Sequence, residues 1–301
     1  MNLAQHLRQD RLAIFLFHGV VEKSDYEVRN YTRKHLMEDE FKGAVQGLTT
    51  NGCPLSMDDV VRHHQEGTPF PENAFAITFD DGFENNLTVA APILEDFSVP
   101  ATFYVTTDFI ANNRMSWIDR IEWAVEAVNE ITVQLPWSDR SSILSDADSK
   151  RAFLDNVRKH VKSNFDIDAD RLASDVQKQC GLEETWSAMG PLDQKLTWKQ
   201  TRILADHPLF TVGGHTHTHA ILSFLNSKEL AVELDTGMNH LRENASIDSH
   251  HYSYPEGLAH CYSDAVIEAL KERGVVCCPT AQDGYNTPGT DLFHLKRIFA
   301  V

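Results

Sequence analysis

The chain has 301 residues, 42% of them hydrophobic and 9% aromatic, which suffices for a large core in one elaborated domain or two small ones. Its formal net charge of −17 disfavours nucleic acid and anionic membrane surfaces as main partners, because both would repel an acidic protein. Five cysteines, odd in number and without a CxxC pattern, do not suggest a disulfide framework. Residues 1–10 are polar and the apolar run 12–17 is short, which predicts neither a signal peptide nor a transmembrane segment and favours a cytoplasmic location.

Apolar runs and helical stretches alternate along the chain. Before residue 112, strands are predicted at 12–17, 74–77 and 101–105, and helices at 37–49, 56–65 and 85–97. After residue 195, helices are predicted at 197–205, 227–243 and 263–273, and strands at 209–212, 250–254, 275–279 and, as an edge strand, 292–300. Repeated βα units with apolar strands predict an α/β fold with a parallel sheet covered by helices, open or closed as a barrel.

The segment at about 112–195 breaks this alternation. It contains a predicted helix at 118–128, a β-like stretch at 131–135 and charged helical stretches from 146 to 178. We therefore predict one domain, 1–301, with a mainly helical insertion.

Two adjacent acids follow the apolar run that ends at Ile77. Asp80 and Asp81 precede Gly82, and neighbouring residues at a strand end point to opposite sides, so the two carboxylates can take different roles. One could bind a metal ion while the other moves a proton. The alternative is a plain turn, because Asp and Gly are frequent turn residues.

A second apolar, strand-like run, residues 210–212, is followed by Gly213-Gly214 and then by His215 and His219. Their spacing of four residues would place both imidazoles on one face of a helical turn or a similar bend, with His217 pointing away. Alone, such a pair is weak evidence, since the chain has 15 histidines. Joined to an acid from another strand end, it gives the three protein ligands of a catalytic zinc with an open position for water.

Several chemically capable residues fall at predicted strand ends: His18, Asp80, Asp81, His215, His219 and the turn at Pro255. The carboxyl ends of parallel strands share one face of the sheet. This coincidence predicts an active site on that face.

These motifs resemble the polysaccharide deacetylase family, carbohydrate esterase family four. Residues 78–82 are similar to its TFDDG signature, 215–219 to its H-[ST]-x-x-H signature, and 253–257 to its third motif in the YPxG form found in members linked to surface polysaccharides. The start at 17–20 and the ending at 295–298 are similar to the Tyr-His-x-Val and LPRI-like segments of many members. The resemblance implies an irregular or partial (β/α) barrel.

The resemblance also implies roles. Asp81, His215 and His219 would bind a divalent metal ion, most readily Zn²⁺, and Asp80 would be the general base. The tetrahedral oxyanion also needs donors, and our candidate beside the metal is the backbone N–H of Glu256, just after Pro255. Tyr254 is either a contact to the sugar ring through its aromatic face or a core residue.

Two family features are missing. Ser253 stands where many members have an arginine that steadies the base, and no clear LxH motif supplies a general acid. His18 is our candidate acid, with a structural histidine at a strand end as the alternative. Trp117 and Asp119 open the insertion in a Trp-x-Asp pattern similar to that of relatives in surface-polysaccharide pathways, either as a rim contact to substrate or as packing.

The predicted function is metal-dependent removal of an acyl group, most often acetyl, from an N-acylated amino sugar in a glycan or in a lipid- or nucleotide-linked precursor. O-deacetylation or deformylation on the same site is one alternative, because the tetrahedral chemistry is shared. A catalytically weak saccharide-binding protein is the other, prompted by the two missing features.

Overall fold

A computed structural model describes residues 1–23 and 25–300 of the protein. In chain order, the strands in this part of the chain are β1 (Ala13–Phe17), β2 (Gly19–Val21), β3 (His35–Met37), β4 (Cys53–Pro54), β5 (Ala74–Phe79), β6 (Ala101–Val105), β7 (Ile131–Val133), β8 (Ser142–Leu144), β9 (Phe210–Gly214) and β10 (Ile298–Phe299). The α-helices are α1 (Glu38–Asn51), α2 (Met57–Glu66), α3 (Ala91–Asp96), α4 (Thr107–Asn112), α5 (Trp117–Glu126), α6 (Ala147–Ser163), α7 (Ala169–Gln179), α8 (Trp198–Asp206), α9 (Ser227–Ala245) and α10 (Asp264–Glu272).

A six-stranded parallel sheet forms the centre of the fold, in the order β10-β1-β5-β6-β9, with β4 beside β5. Phe17, Phe79 and Phe103 lie opposite one another on adjacent strands, and their rings stack at 5.3 and 5.0 Å. The register therefore ends β1 and β5 at the same level, and the residues that follow them emerge side by side. The predicted parallel α/β sheet is confirmed.

Beyond β9 the sheet continues, among residues 1–23 and 25–300, as two single parallel bridges, Gly214 to Tyr252 and His251 to Cys277. The predicted strands at 250–254 and 275–279 are thus wrong as full strands. Proline at positions 255 and 279 removes the N–H that the next rung of each would need. The Leu292 and Leu295 carbonyls accept hydrogen bonds from Cys278 and Thr280, and β10 then pairs with β1. The structure is a partial barrel, as predicted.

The backbone at Gly214 passes very close to the ring of Tyr252, its partner in the bridge beyond β9. A Cβ atom there would lie 2.3 Å from the ring of Tyr252. Only glycine lets the backbone of β9 pass the ring so closely.

Both faces of the sheet are buried, because successive strand residues point to opposite sides. Phe15 and Ile77 belong to one hydrophobic cluster, together with the apolar face of α1 (Phe41, Ala44, Val45 and Leu48). Ile14 and Ala76 belong to the other cluster, with α2, α9 and α10 against them. A sheet covered on both sides by helices leaves its strand ends as the place where polar side chains can gather.

Residues 112–195 supply nearly all of a third hydrophobic cluster, to which Val28 also belongs. Helices α5, α6 and α7 pack there with an antiparallel β7–β8 hairpin, which includes the predicted β-like stretch. The residues before the three helices are Ser116, Asp146 and Asp168. Each is an N-cap whose side-chain oxygen accepts a hydrogen bond from a backbone N–H of the first turn. None of the helices within residues 1–23 and 25–300 is long and apolar enough to cross a membrane.

The helix predicted at 85–97 has two parts, a π-helical turn at Asn86–Ala90 followed by α3. Pro92 explains the irregularity, because it has no N–H for the bond to Thr88 that an α-helix would make. The side chains of Asn85 and Asn86 instead bind the chain after β1, at the Val20 N–H and the His18 carbonyl.

Candidate active site

The strand ends gather the predicted side chains around one cavity of about 340 Å³. Its lining includes His18 after β1, Asp80 and Asp81 after β5, and His215 after β9. His219 and Glu256 line it from the loops that follow. Residues far apart in the sequence thus meet where parallel strands end.

Asp81, His215 and His219 form a compact set of potential metal ligands, with one ligand atom of each within 4.8 Å of the others. Oδ1 of Asp81 lies 3.3 Å from Nε2 of His219 and 3.6 Å from Nε2 of His215. This oxygen is buried and makes no hydrogen bond within the described residues. A buried carboxylate oxygen without a hydrogen bond is costly, and a cation among these three atoms would satisfy it.

The backbone is unusual at both motifs. Asp81 and His219 have φ values of 77° and 64°, in the left-handed region that non-glycine residues seldom adopt. Residues 215–219 form a bend and not a helical turn, with Thr216 also left-handed. As predicted, His217 points away, and its ring bonds the Thr107 hydroxyl.

Glu233 on α9 fixes this bend. Its carboxylate accepts hydrogen bonds from the backbone N–H groups of His217 and Thr218 at 2.8 and 2.6 Å, and also from the Thr218 hydroxyl. Sequence reasoning missed this residue, since a buried acid in the middle of a helix has no local signature.

The two histidines differ electrostatically. Nδ1 of His215 lies 2.8 Å from the carbonyl oxygen of Ser253, so Nδ1 carries the proton and Nε2 is left free to bind a metal ion. Burial lowers the pKa of His215, which keeps it neutral. Burial also acts to lower the pKa of His219, but the neighbouring Asp81 carboxylate raises it more, so its pKa lies above the ordinary value.

Asp80 is held by Arg297, which occupies the LPRI-like ending. The guanidinium donates to both carboxylate oxygens at 2.8 Å, and to the Ser253 hydroxyl at 2.9 Å. Ser253 itself donates only one long hydrogen bond to Asp80, at 3.4 Å, so Arg297 supplies the charged contact to both oxygens that the arginine of other members would make. Burial acts to raise the pKa of Asp80, but Arg297 and His215 outweigh it, so the carboxyl pKa is lower than usual and the group is ionised at neutral pH.

Asp81 has a different cationic partner. Nζ of Lys34 lies 2.9 Å from Oδ2 of Asp81 and 3.4 Å from Oδ1 of Asp119 on α5. Burial acts to raise the pKa of Asp81, but Lys34 and His219 hold it well below the usual range. Asp119 thus links the insertion to the candidate metal ligands, through a lysine that no sequence motif had identified.

Lys195 completes this buried cluster. Its ammonium lies 4.0 Å from Asp119 and 3.5 Å from the centre of the Phe83 ring, without a hydrogen bond in the described part of the chain. Burial lowers its pKa to about 8.

His18 lies beside the acids, stacked on Phe299 with ring centres 6.1 Å apart. Burial lowers its pKa to about 4, against the opposing effect of the nearby Asp81 and Asp80 carboxylates. The imidazole is consequently neutral at pH 7.

The third motif is divided between the cavity and the core. Tyr254 touches the cavity, but it is 1% exposed and its hydroxyl donates to the Phe293 carbonyl, so it is mainly a packing residue. Pro255 is buried and does not line the cavity. Glu256 has a φ of 60°, and its side chain pairs with Lys162 on α6. Its backbone N–H makes no hydrogen bond within residues 1–23 and 25–300.

Comparison with known proteins supports the resemblance. Residues 67–278 match the family model described as polysaccharide deacetylase. Part of the chain is 40% identical over 57 residues to a poly-beta-1,6-N-acetyl-D-glucosamine N-deacetylase of Escherichia coli K12, covering 19% of this chain and 8% of that protein. A Staphylococcus epidermidis protein of the same name is 28% identical over 87 residues, 29% of each chain.

Solved structures share the fold over nearly the whole chain. The Streptococcus pyogenes deacetylase PplD, in complex with acetate, superposes with a TM-score of 0.61 at 16% identity, covering 97% of this chain and 93% of that one. IcaB from Ammonifex degensii gives a TM-score of 0.60 at 15% identity, with 98% and 94% covered. These likenesses extend across the insertion as well as the barrel.

Proposed function

Because the chain belongs to the polysaccharide deacetylase family, we propose that it is a metal-dependent hydrolase that removes the N-acetyl group of an amino sugar in a glycan or its precursor. The observation that carries this proposal is the convergence of Asp81, His215 and His219 beside an ionised Asp80. One carboxylate and two imidazoles are a donor set typical of catalytic zinc, so we propose Zn²⁺ as the ion.

Bound by these three residues, the ion would polarise the acyl oxygen and lower the pKa of a water molecule. Asp80 is ionised and lies 3.9 Å from the free nitrogen of His215, so its carboxylate can take the proton of a water that attacks the amide carbon. Arg297, which also lines the cavity, fixes the orientation of the Asp80 carboxylate through hydrogen bonds to both of its oxygens. The free backbone N–H of Glu256 is our candidate donor to the tetrahedral oxyanion.

Breaking the C–N bond requires a proton on the leaving amine, and we assign its delivery to His18. With a pKa of about 4, the imidazole is neutral at rest, so it must first be protonated, and its source in this scheme is the proton that Asp80 takes from the attacking water. Loss of the proton to the amine is then strongly favourable. Measuring kcat of His18→Ala tests this role, since turnover near that of the wild type with metal retained would eliminate it.

The names of the curated relatives suggest the class of sugar that this protein deacetylates. A glycan or precursor containing N-acetylglucosamine fits the names of the curated relatives. All five cysteines are free in the structure, which supports a reducing, cytoplasmic setting for the reaction.

The function is tested by amine release. Purified zinc-loaded protein is incubated with N-acetylglucosamine and with its β-1,6-linked oligomers, alongside Asp80→Asn loaded to the same zinc content. We expect the wild type to release amine and the variant to be slower by about 10³-fold. Equal rates for the two proteins, or no release from any substrate, would refute the proposal. Parallel assays with O-acetylated sugars distinguish amide from ester hydrolysis.

A further inference from the structure

A second cavity, of about 240 Å³, adjoins the candidate active site on the side of the insertion. The two cavities share four lining residues: Trp117, Lys162, His219 and Glu256. Because His219 is a candidate metal ligand, the second cavity begins next to the reacting centre. A substrate longer than one sugar can therefore extend from one cavity into the other.

Exposed aromatic rings lie along this second cavity. Phe165, in the loop between α6 and α7, is 71% exposed, and Phe224 is 36% exposed. Their ring centres are 6.1 Å apart with the planes at 66°. Rings left so open to water do little for folding, and clustered exposed aromatics typically mark a binding surface.

Trp117 stands at the junction of the two cavities, half-buried at the start of α5. Its indole N–H makes no hydrogen bond to any described residue. An available donor at the point where both cavities meet suits a ligand that passes between them.

Charged side chains line the second cavity together with these aromatic rings. Lys162 and Glu256 form an ion pair on the shared wall, and Asp168 and Asp170 also line the second cavity, with Asp170 paired to Arg114 and Arg120. Aromatic faces combined with charged hydrogen-bonding groups match a pyranose, whose C–H face is apolar and whose hydroxyls point outward. The acids, with the net charge of −17, disfavour an anionic lipid surface as the occupant.

We propose that the second cavity is a subsite for the sugar adjoining the residue that is deacetylated, with Phe165 and Phe224 as its stacking platform. This inference rests on the proposed function and makes it narrower. The substrate is an oligosaccharide or polysaccharide of at least two sugars, and the second cavity, lined by the insertion and by the segment after β9, selects it by length.

Two measurements test the subsite, one catalytic and one independent of catalysis. The first is the ratio of kcat/KM for a β-1,6-linked N-acetylglucosamine trisaccharide to that for the monosaccharide. The second is the Kd of the trisaccharide for the zinc-loaded Asp80→Asn protein, measured by calorimetry. Both are compared in the parent protein, in Phe165→Ser/Phe224→Ser and in Phe165→Tyr/Phe224→Tyr. Val232→Ser is the matched control, because Val232 is 59% exposed and lines neither cavity.

In Phe165→Ser/Phe224→Ser we expect the kcat/KM ratio to fall by about fivefold to tenfold and the Kd to rise by the same factor. Stacking on an aromatic face contributes up to about 1.5 kcal/mol, which corresponds to about a tenfold change in Kd. Phe165→Tyr/Phe224→Tyr keeps the aromatic faces, so its kcat/KM ratio and its Kd for the trisaccharide should stay close to those of the parent. Val232→Ser should match the parent.

Each departure has a distinct meaning. If amine is released but neither the ratio nor the Kd responds to Phe165→Ser/Phe224→Ser, the subsite is refuted and the deacetylase proposal stands. Phe-dependent trisaccharide binding without amine release from any sugar would refute the deacetylase and keep the subsite. Phe-dependent binding to vesicles of phosphatidylcholine with phosphatidylglycerol, without Phe-dependent trisaccharide binding, would identify a lipid surface and overturn the proposal.

Discussion

Asp80 and Asp81 are neighbours in the sequence, yet their cationic partners come from different regions of the molecule. Asp80 is paired with Arg297 from the segment that closes the partial barrel. Asp81 is paired with Lys34, which Asp119 of the insertion holds in turn. The barrel thus orients the proposed base, and the insertion supports the proposed metal ligand. Adjacent carboxylates acquire separate roles through separate counter-ions.

The largest expected effect comes from removing the barrel-side partner. Arg297→Met leaves the buried Asp80 charge unpaired, which should lower the free energy of unfolding by about 3–5 kcal/mol. It should also lower kcat by about 10²-fold or more, because the base is no longer oriented. Urea denaturation and steady-state kinetics measure the two effects.

Arg242→Met is the matched control for that variant. Its ion pair with Asp248 is exposed, with side-chain exposures of 59% and 72%, so we expect a change within about 0.5 kcal/mol. A wild-type kcat in Arg297→Met would show that Asp80 does not depend on this arginine.

Removing the insertion-side partner should have a smaller effect, and one that metal reverses. Lys34→Met leaves Asp81 and Asp119 short of positive charge, which should destabilise the metal-free protein by about 3 kcal/mol. Saturating Zn²⁺ should restore most of this loss, since the ion compensates Asp81. Zn²⁺ stabilises every variant that keeps the three ligands, so rescue is measured as the gain beyond that of the wild type, and Arg297→Met should show no such extra gain. Thermal unfolding of both variants with and without Zn²⁺ distinguishes the two partners, and equal rescue would break the division between them.

Lys195 gives the smallest effect, seen as a pH dependence. Its pKa of about 8 in the folded protein lies below the ordinary 10.5, so between these values the unfolded chain binds more protons. The free energy of unfolding therefore rises with pH across this window. At about 1.4 kcal/mol per pKa unit the contribution is at most about 3 kcal/mol, and Lys195→Met should abolish it. Identical pH–stability curves for the two proteins would contradict the presence of a buried ammonium with a lowered pKa at position 195.

Much of the fold was predictable because periodicity is local. The parallel sheet, the helices that cover it and the mainly helical composition of 112–195 follow from apolar patterns and turn residues. The two strands predicted after β9 failed because tertiary crowding and prolines, not propensity, limit them to single bridges. The π-helical turn before α3 likewise depends on one proline and on what the two preceding asparagines bind.

The candidate site was predictable only where motifs carry it. Asp80, Asp81, His215 and His219 stand in dense local patterns, and the structure brings them together. Arg297, Lys34 and Glu233 were missed as partners because each acts from a distant part of the chain. Such contacts depend on how the chain closes in space, which a single sequence does not encode in any short pattern. Ser253 in place of the expected arginine was the one available signal that a substitute had to exist.

The division between Asp80 and Asp81 is tested most directly by a zinc titration of three metal-free proteins: the wild type, Asp80→Asn and Asp81→Asn. Calorimetry should show one site, with the Kd of Asp80→Asn within about threefold of the wild type and that of Asp81→Asn weaker by about 100-fold or more, because only Asp81 is a ligand. Equal weakening in the two variants, or none in Asp81→Asn, would contradict the account.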